Sequence, residues 1–366
     1  MSDETSENRV SRRQYLAATG AVGAAGLAGC TGGDSGGDAS EDTGSSESDD
    51  DEIGGTVTVF SGTQYVDAGF EEALHEAGVP DSVTIEMVTP PQDSGSKQQQ
   101  LRTAINAEES DPDLVLTDNG WTIPFILRDD LVNLEQEMDD AFIAEVRETG
   151  VQSMISTGTH PDTGDLYSIP AFPDFPTVQY RKDLFREVGY TDEDFASWQS
   201  DPPMWSEFSQ IVADVQATTD IEYGHIWQGS DYIGLACCTF NEFLTSMGGA
   251  YFGGRNTLFG PVGDRPTTLD SEETIDGIEA AVDIIHGTGA APIDIKGVSP
   301  QEVAGWTEPD TKSVFEAGDA VTQRNWTYAI AGAASAFEGT DRELGVMPLP
   351  QGRTGQHTLR GAGFCR

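Results

Sequence analysis

Short β-branched runs alternate with longer segments of helical pattern in the first third of the folded chain. GTVTVF, Gly55 to Phe60, reads as a strand and is followed by a polar turn and the helix-like GFEEALHEAG. VTIEMV, Val83 to Val88, predicts a second strand, SKQQQLRTAINA, Ser96 to Ala107, another helix, and Asp113 to Leu116 a third strand. This alternation predicts βαβ units and a mostly parallel sheet, with ligands at the carboxyl ends of the strands. Asp118 and Trp121, in TDNGW, would stand at such an end.

The next stretch, Gly164 to Arg186, carries Pro170, Pro173 and Pro176 before returning to a strand at Val178 to Arg181. Extended, proline-rich backbone between two α/β blocks predicts a crossover between lobes, the first at 53–172 and the second at 177–351. Beyond it Phe208, Ile211, Val212 and Val215 fall at helical spacing. A second helix, capped by Ser271, aligns Ile275, Ile278, Val282 and Ile285. Both stripes are expected to face the core. Thr311 to Ala317 predicts a short helix closed by Gly318, and AVTQRNW a strand ending at Trp326.

Charge narrows the partners. Across 366 residues there are 63 Asp and Glu against 19 Lys and Arg, a formal net charge of -44. A footprint on nucleic-acid phosphates or anionic lipid would be repelled, so no nucleic acid is expected as partner. Such charge opposes compaction unless screened, and at about 1 M salt the Debye length falls to roughly 3 Å, which predicts adaptation to brine. Hydrophobic residues at 37% in periodic blocks argue against a disordered acidic protein.

The first thirty residues read as an address. Twin arginines in SRRQYL, Ser11 to Leu16, precede an uncharged Ala/Gly-rich run ending LAGC at Cys30. They resemble a twin-arginine export signal fused to a lipobox, which makes Cys30 the expected lipid attachment site and places the mature chain outside the cell. Residues 31–52 are a low-complexity acidic tether. Within it GDSGG, Gly33 to Gly37, matches serine-hydrolase strings, but a tether supplies neither a rigid turn nor a base. Cys237 and Cys238 are adjacent, which argues against their pairing with each other and for buried thiols; a bridge from Cys365 to one of them stays open.

Enzyme chemistry finds little support. His75, His160, His225, His286 and His357 are scattered without metal-ligand spacing, and no Walker or GxGxxG loop is present, so neither metal nor cofactor is expected. A secreted glycoside hydrolase or other carbohydrate-active enzyme is the alternative, because two catalytic carboxylates could hide among so many acids.

Five segments carry a resemblance: YSIPAFPDFPTVQYRKDLF, WQGSDYIGLAC, FNEFLTSMGGAYF, VFEAGDAVTQRNWTYAIA and GVMPLPQG. In order and spacing they resemble the extracellular solute-binding proteins of carbohydrate ABC importers (family 1), with WQG..Y.GL.C and RNW.YA most similar to the trehalose/maltose-binding subgroup. The resemblance implies an α/β, two-lobed periplasmic-binding-protein-like clamshell (type II) that closes on sugar and docks to ABC transporter permease subunits. It implies a monomeric receptor, held to the membrane by its lipid anchor only, for a di- or oligosaccharide such as maltose or trehalose. Matching positions give the candidate ligand-binding residues Asp118, Trp121, Tyr180, Trp227, Tyr232, Asn325 and Trp326. Pyranose C–H faces lie well on indole and phenol rings while hydroxyls want carboxylates and amides, so the mixture suits a sugar. Trp198, Trp205 and Trp306 have no motif support. The Asn325 sequon is expected to be unused, since a glycan there would plug the cleft. Family members continue after GVMPLPQG, so 352–366 is expected to be the start of a return to the first lobe, truncated, with weak or no sugar binding by this chain as the consequence.

Overall fold

The computed structural model describes residues 54–61, 69–172, 174–254, 257 and 262–352. The signal and lipobox with Cys30, the acidic tether and the 353–366 segment lie outside the described residues.

In the first lobe, β1 (Gly55–Phe60), β2 (Val83–Val88) and β3 (Leu114–Val115) form a parallel sheet of order β2-β1-β3. Gly55 pairs with Val83, and Val59 with Leu114. Side chains alternate across the central strand. Val57 and Val59 pack with Val83 and Ile85 on one face, and Phe60 packs with Leu101, Trp121 and Phe125 on the other. The continuous apolar and β-branched run of β1 is thus buried on both faces towards its end. Helices α1 (Phe70–Glu76) and α2 (Ser94–Asn106) lie between the strands; Asp93 caps α2 by accepting from Ser96 N at 2.8 Å. Four short helices follow: α3 (Thr122–Ile126), α4 (Leu134–Glu137), α5 (Asp140–Thr149) and α6 (Gln152–Thr157).

The second lobe has a four-stranded sheet of order β5-β6-β4-β7, built from β4 (Pro176–Arg181), β5 (Tyr223–Ile226), β6 (Ala320–Trp326) and β7 (Leu344–Met347). It is mixed: β4 runs antiparallel to both β6 and β7, and β5 parallel to β6. The crossover explains the direction. It delivers the chain into β4 at the end of the sheet where β6 finishes, with Pro176 paired to Trp326. Asp174 fastens this entry by accepting from Thr327 N at 3.0 Å and from the Thr327 hydroxyl. The carboxyl ends of β5 and β6 therefore lie at the crossover end of the lobe.

Around this sheet lie α7 (Lys182–Glu187), α8 (Asp192–Trp198), α9 (Trp205–Thr218), α10 (Phe240–Ser246), α11 (Glu272–His286), α12 (Glu308–Ala317) and α13 (Tyr328–Phe337). Helix α9 buries Phe208, Ile211, Val212 and Val215 as expected. Helix α11 does the opposite of what its apolar stripe predicts. Ile275, Ile278 and Val282 are 44%, 40% and 40% exposed, and the helix turns Thr274, Gly277, Ala280 and Ile284 inward. Small residues decide this orientation. A Cβ on Gly277 would stand 2.6 Å from Leu244 Cα, so α10 seats against a groove that only glycine leaves open.

Candidate functional site

On the first lobe, β3 leads into a turn organised by Asp118. Its carboxylate accepts from Gly120 N at 2.9 Å and from Ser94 Oγ at 3.2 Å, while its carbonyl accepts from Trp121 N and Thr122 N. Ser94 Oγ also accepts from Trp121 Nε1 at 3.3 Å, tying the indole to α2. Trp121 is 1% exposed, within the Phe60, Leu101 and Phe125 cluster. Asp118 thus forms the turn into α3.

On the second lobe, the chain leaving β5 passes through Trp227 and Gln228 into a π-helical turn, Leu235–Thr239, that runs straight into α10. Tyr232 folds its ring onto Gly234, where any Cβ would overlap it. From this segment two side chains reach the first lobe. Ile233 packs against the Trp121 cluster, and Cys237 lies where a Cβ on Gly120 would be 3.9 Å from its Cβ and Sγ. Cys238 packs against Trp326 at the end of β6. The Asp118–Trp121 turn, the 232–238 segment and Trp326 are thereby brought together where the lobes meet.

Cys237 and Cys238 are joined by a disulfide, which corrects the expectation of buried thiols. Adjacency argued against the bond on ordinary helical or strand geometry. The wider π turn brings successive side chains closer in angle than an α-helix does.

Three of the expected ligand residues lie elsewhere. Tyr180 is 1% exposed in the second-lobe core, ringed by Phe185, Phe195 and Trp198 at centroid distances of 5.2, 5.7 and 5.8 Å. Its side lies on β7 where Gly345 has no side chain to obstruct it, and burial pushes the phenol well above its ordinary pKa. Trp227 also belongs to that core, donating to Ser299 Oγ at 3.1 Å and meeting Phe243 edge-on. Asn325 is fully buried; its amide donates to Thr311 Oγ1 and Gln323 Oε1, and its oxygen accepts from Trp326 N at 2.9 Å. The polar tips of Trp227 and Asn325 find their partners inside the lobe. Trp198 and Trp205, without motif support, are core residues as well.

A charged network missing from the sequence reading lies beneath Trp326. Arg324 and Glu242 are 2% and 3% exposed and paired, with Arg324 Nε donating to Glu242 Oε2 at 2.9 Å and Nη2 donating to Oε1. Arg324 Nη1 donates to Gln228 Oε1 at 3.0 Å, and Gln228 Nε2 donates to Thr311 Oγ1 and the Arg324 carbonyl. The guanidinium carbon sits 3.8 Å from the Trp326 ring centroid, a cation–π contact that fixes the indole plane. Nearby His225, hydrogen-bonded to Thr322 Oγ1 at 2.9 Å, has its pKa lowered from 6.5 to about 3 by burial and then by the Arg324 charge. The signal for this network was an arginine inside the strand-like AVTQRNW in a chain poor in cations. Among the described residues no group of three or more His, Cys, Asp or Glu is arranged to hold a metal, and no helix is long and apolar enough to cross a membrane.

Comparison with known proteins agrees with this architecture. A Deinococcus radiodurans protein described as "Probable ABC transporter-binding protein" is 25% identical over 307 residues, 82% of this chain and 65% of its own length. The chain therefore spans about two thirds of that curated relative. Maltose-bound MalE3 of T. maritima superposes with a TM-score of 0.64 at 26% identity, covering 82% of this chain and 69% of that one. The GacH receptor of Streptomyces glaucescens, solved unliganded and with acarbose, gives 0.60 at 20% identity over 83% and 69%. These likenesses show the two-lobed binding-protein fold. The model of the bacterial extracellular solute-binding protein family matches residues 58–364, and the chain belongs to that family.

Proposed function

We propose that this protein is the receptor of a carbohydrate ABC importer, capturing a di- or oligosaccharide such as maltose or trehalose between its lobes and delivering it to the permease. The observation that carries the reading is the meeting of Asp118, Trp121, Tyr232 and Trp326 on facing ends of the two lobes. Aromatic faces for pyranose C–H surfaces stand beside a carboxylate that accepts from hydroxyls. Trp121 and Trp326 are each 1% exposed, and on this reading parting of the lobes at Ile233, which packs on the Trp121 cluster, opens the way for a sugar. Tyr180, Trp227 and Asn325 then serve as support, holding β4, the 227–238 segment and Trp326 in place. The maltose-bound relative at 26% identity favours an α-glucoside.

The lobes are proposed to span 53–172 and 177–351, the protein to act as a monomer, and Cys30 to carry the lipid that holds it outside the cell. The Cys237–Cys238 bridge supports that location, because disulfides persist where the environment is oxidising. Titration calorimetry of the full chain against maltose, trehalose and glucose tests the reading. Trp326→Ala is expected to lower affinity tenfold to a hundredfold, about 1.5 to 3 kcal/mol for a buried aromatic face. Tight binding of a ligand that is not a sugar would refute the proposal, and hydrolysis of the disaccharides would favour an enzyme.

A further inference from the structure

The disulfide joins two residues at the place where the lobes meet. Cys237 faces Gly120 of the first lobe, one helical turn beyond Ile233, which packs on the Trp121 cluster; Cys238 is buried against Trp326. The bond therefore couples the contact between lobes to the seat of the second-lobe indole. It also lies within the π-helical turn that positions Ile233 and Cys237 on one side. Without the bond, the backbone of residues 235–239 is free to relax toward an ordinary α-helical turn continuous with α10, rotating Cys237 and Ile233 off the first lobe.

We propose that the Cys237–Cys238 disulfide is a positioning element of the sugar site, holding the 233–238 turn in the register at which the lobes close and Trp326 is seated. This rests on the reading of the protein as a sugar receptor. Reduction by a dithiol breaks the S–S bond, transfers two electrons and two protons to give the Cys237 and Cys238 thiols, and leaves the reductant as its own disulfide. The expected result is a receptor that stays folded but closes less readily.

The test uses the full chain with Cys30→Ser and Cys365→Ser, so that Cys237 and Cys238 are the remaining cysteines of the four. Oxidised, dithiothreitol-reduced and reoxidised samples are compared, with the redox state read by alkylation and peptide mass. Three readouts separate a positioning role from a merely structural one. Small-angle scattering without sugar should show a larger radius of gyration on reduction, reversed on reoxidation. Tryptophan emission should rise on reduction, because a disulfide quenches an adjacent indole, and the rise should vanish in Trp326→Phe. Maltose affinity should fall about tenfold while far-ultraviolet dichroism stays constant. Cys237→Ser/Cys238→Ser should reproduce the reduced state, and if it misfolds, reversible reduction of the parent still decides. Unchanged scattering and emission on complete reduction would overturn the proposal. If the oxidised protein binds no maltose, that bears on the receptor reading alone, and scattering and emission still decide the role of the bond.

Discussion

Replacing Glu242 by glutamine keeps the size of the side chain and removes one charge from a pair almost sealed from water. The partner Arg324 is 2% exposed, and both Glu242 oxygens accept from it. In the variant one of those oxygens becomes an NH2 group that opposes a guanidinium N–H, donor to donor, and the cation keeps only neutral acceptors, the remaining amide oxygen and the Gln228 carbonyl at 3.0 Å. Breaking one side of a buried pair costs about 3 to 5 kcal/mol, because the remaining charge stays desolvated and uncompensated. At roughly 2 to 4 °C per kcal/mol for a lobe of this size, the melting midpoint should fall by about 6 to 20 °C. Urea unfolding at two salt concentrations is the assay, since guanidinium chloride would itself add salt. The loss should be nearly independent of salt, as ions do not reach the pair. Asp192→Asn, which disrupts the solvent-exposed bridge to Arg186, should leave the midpoint in place. Arg324→Met with Glu242→Leu should recover most of the stability, because two apolar groups need no partner. It should still weaken sugar binding, since the Trp326 ring loses the guanidinium 3.8 Å away. A loss under about 1 kcal/mol for Glu242→Gln would refute the reasoning, showing that water or another donor compensates the pair.

His225, with its pKa lowered from 6.5 to about 3, stays neutral in the fold while the unfolded chain protonates, so its contribution is full above pH 6.5 and is lost as pH falls toward 3. The stability advantage of wild type over His225→Asn should shrink by about 2 kcal/mol between pH 7 and pH 5, at roughly 1.4 kcal/mol per pH unit; an unchanged difference in urea midpoints would contradict it. Gly277→Ala should destabilise by about 1 to 3 kcal/mol despite the better helix propensity of alanine, because its methyl meets the Leu244 backbone, whereas Gly254→Ala, with nothing within 4 Å, should be neutral in thermal melts. With a net charge of -44, the fold should weaken on dialysis from molar salt to about 0.1 M; a constant dichroism spectrum would show that screening is not what holds it together.

The central strand of the first sheet was legible because β1 is buried on both faces towards its end, and burial of that kind leaves a continuous β-branched signature such as Val57-Thr58-Val59. Strand direction leaves none. The antiparallel entry of β4 follows from where the crossover arrives, and only the pairing of Pro176 with Trp326 reveals it. The apolar stripe of α11 misled for a related reason: periodicity reports which residues share a face, not which face meets a neighbour. Gly277 and Ala280 won the contact by being small.

The candidate site divides along the same line. Residue types were readable, since indoles, a carboxylate and a phenol near strand ends are what a sugar cleft requires. Their orientation was not. Trp227 and Trp326 both follow strands that end at the crossover side of the sheet, yet one donates to Ser299 inside the core and the other lies against Cys238 at the meeting of the lobes. What distinguishes them is a set of partners remote in sequence, above all Glu242, which reaches Arg324 across 82 positions. A charge pair that far apart has no local pattern. Its place under Trp326 gives a reason for its burial: an apolar packing would hold the lobe together as well, but it would not carry a cation against the face of the indole and so fix the plane that the proposed site would offer to a sugar.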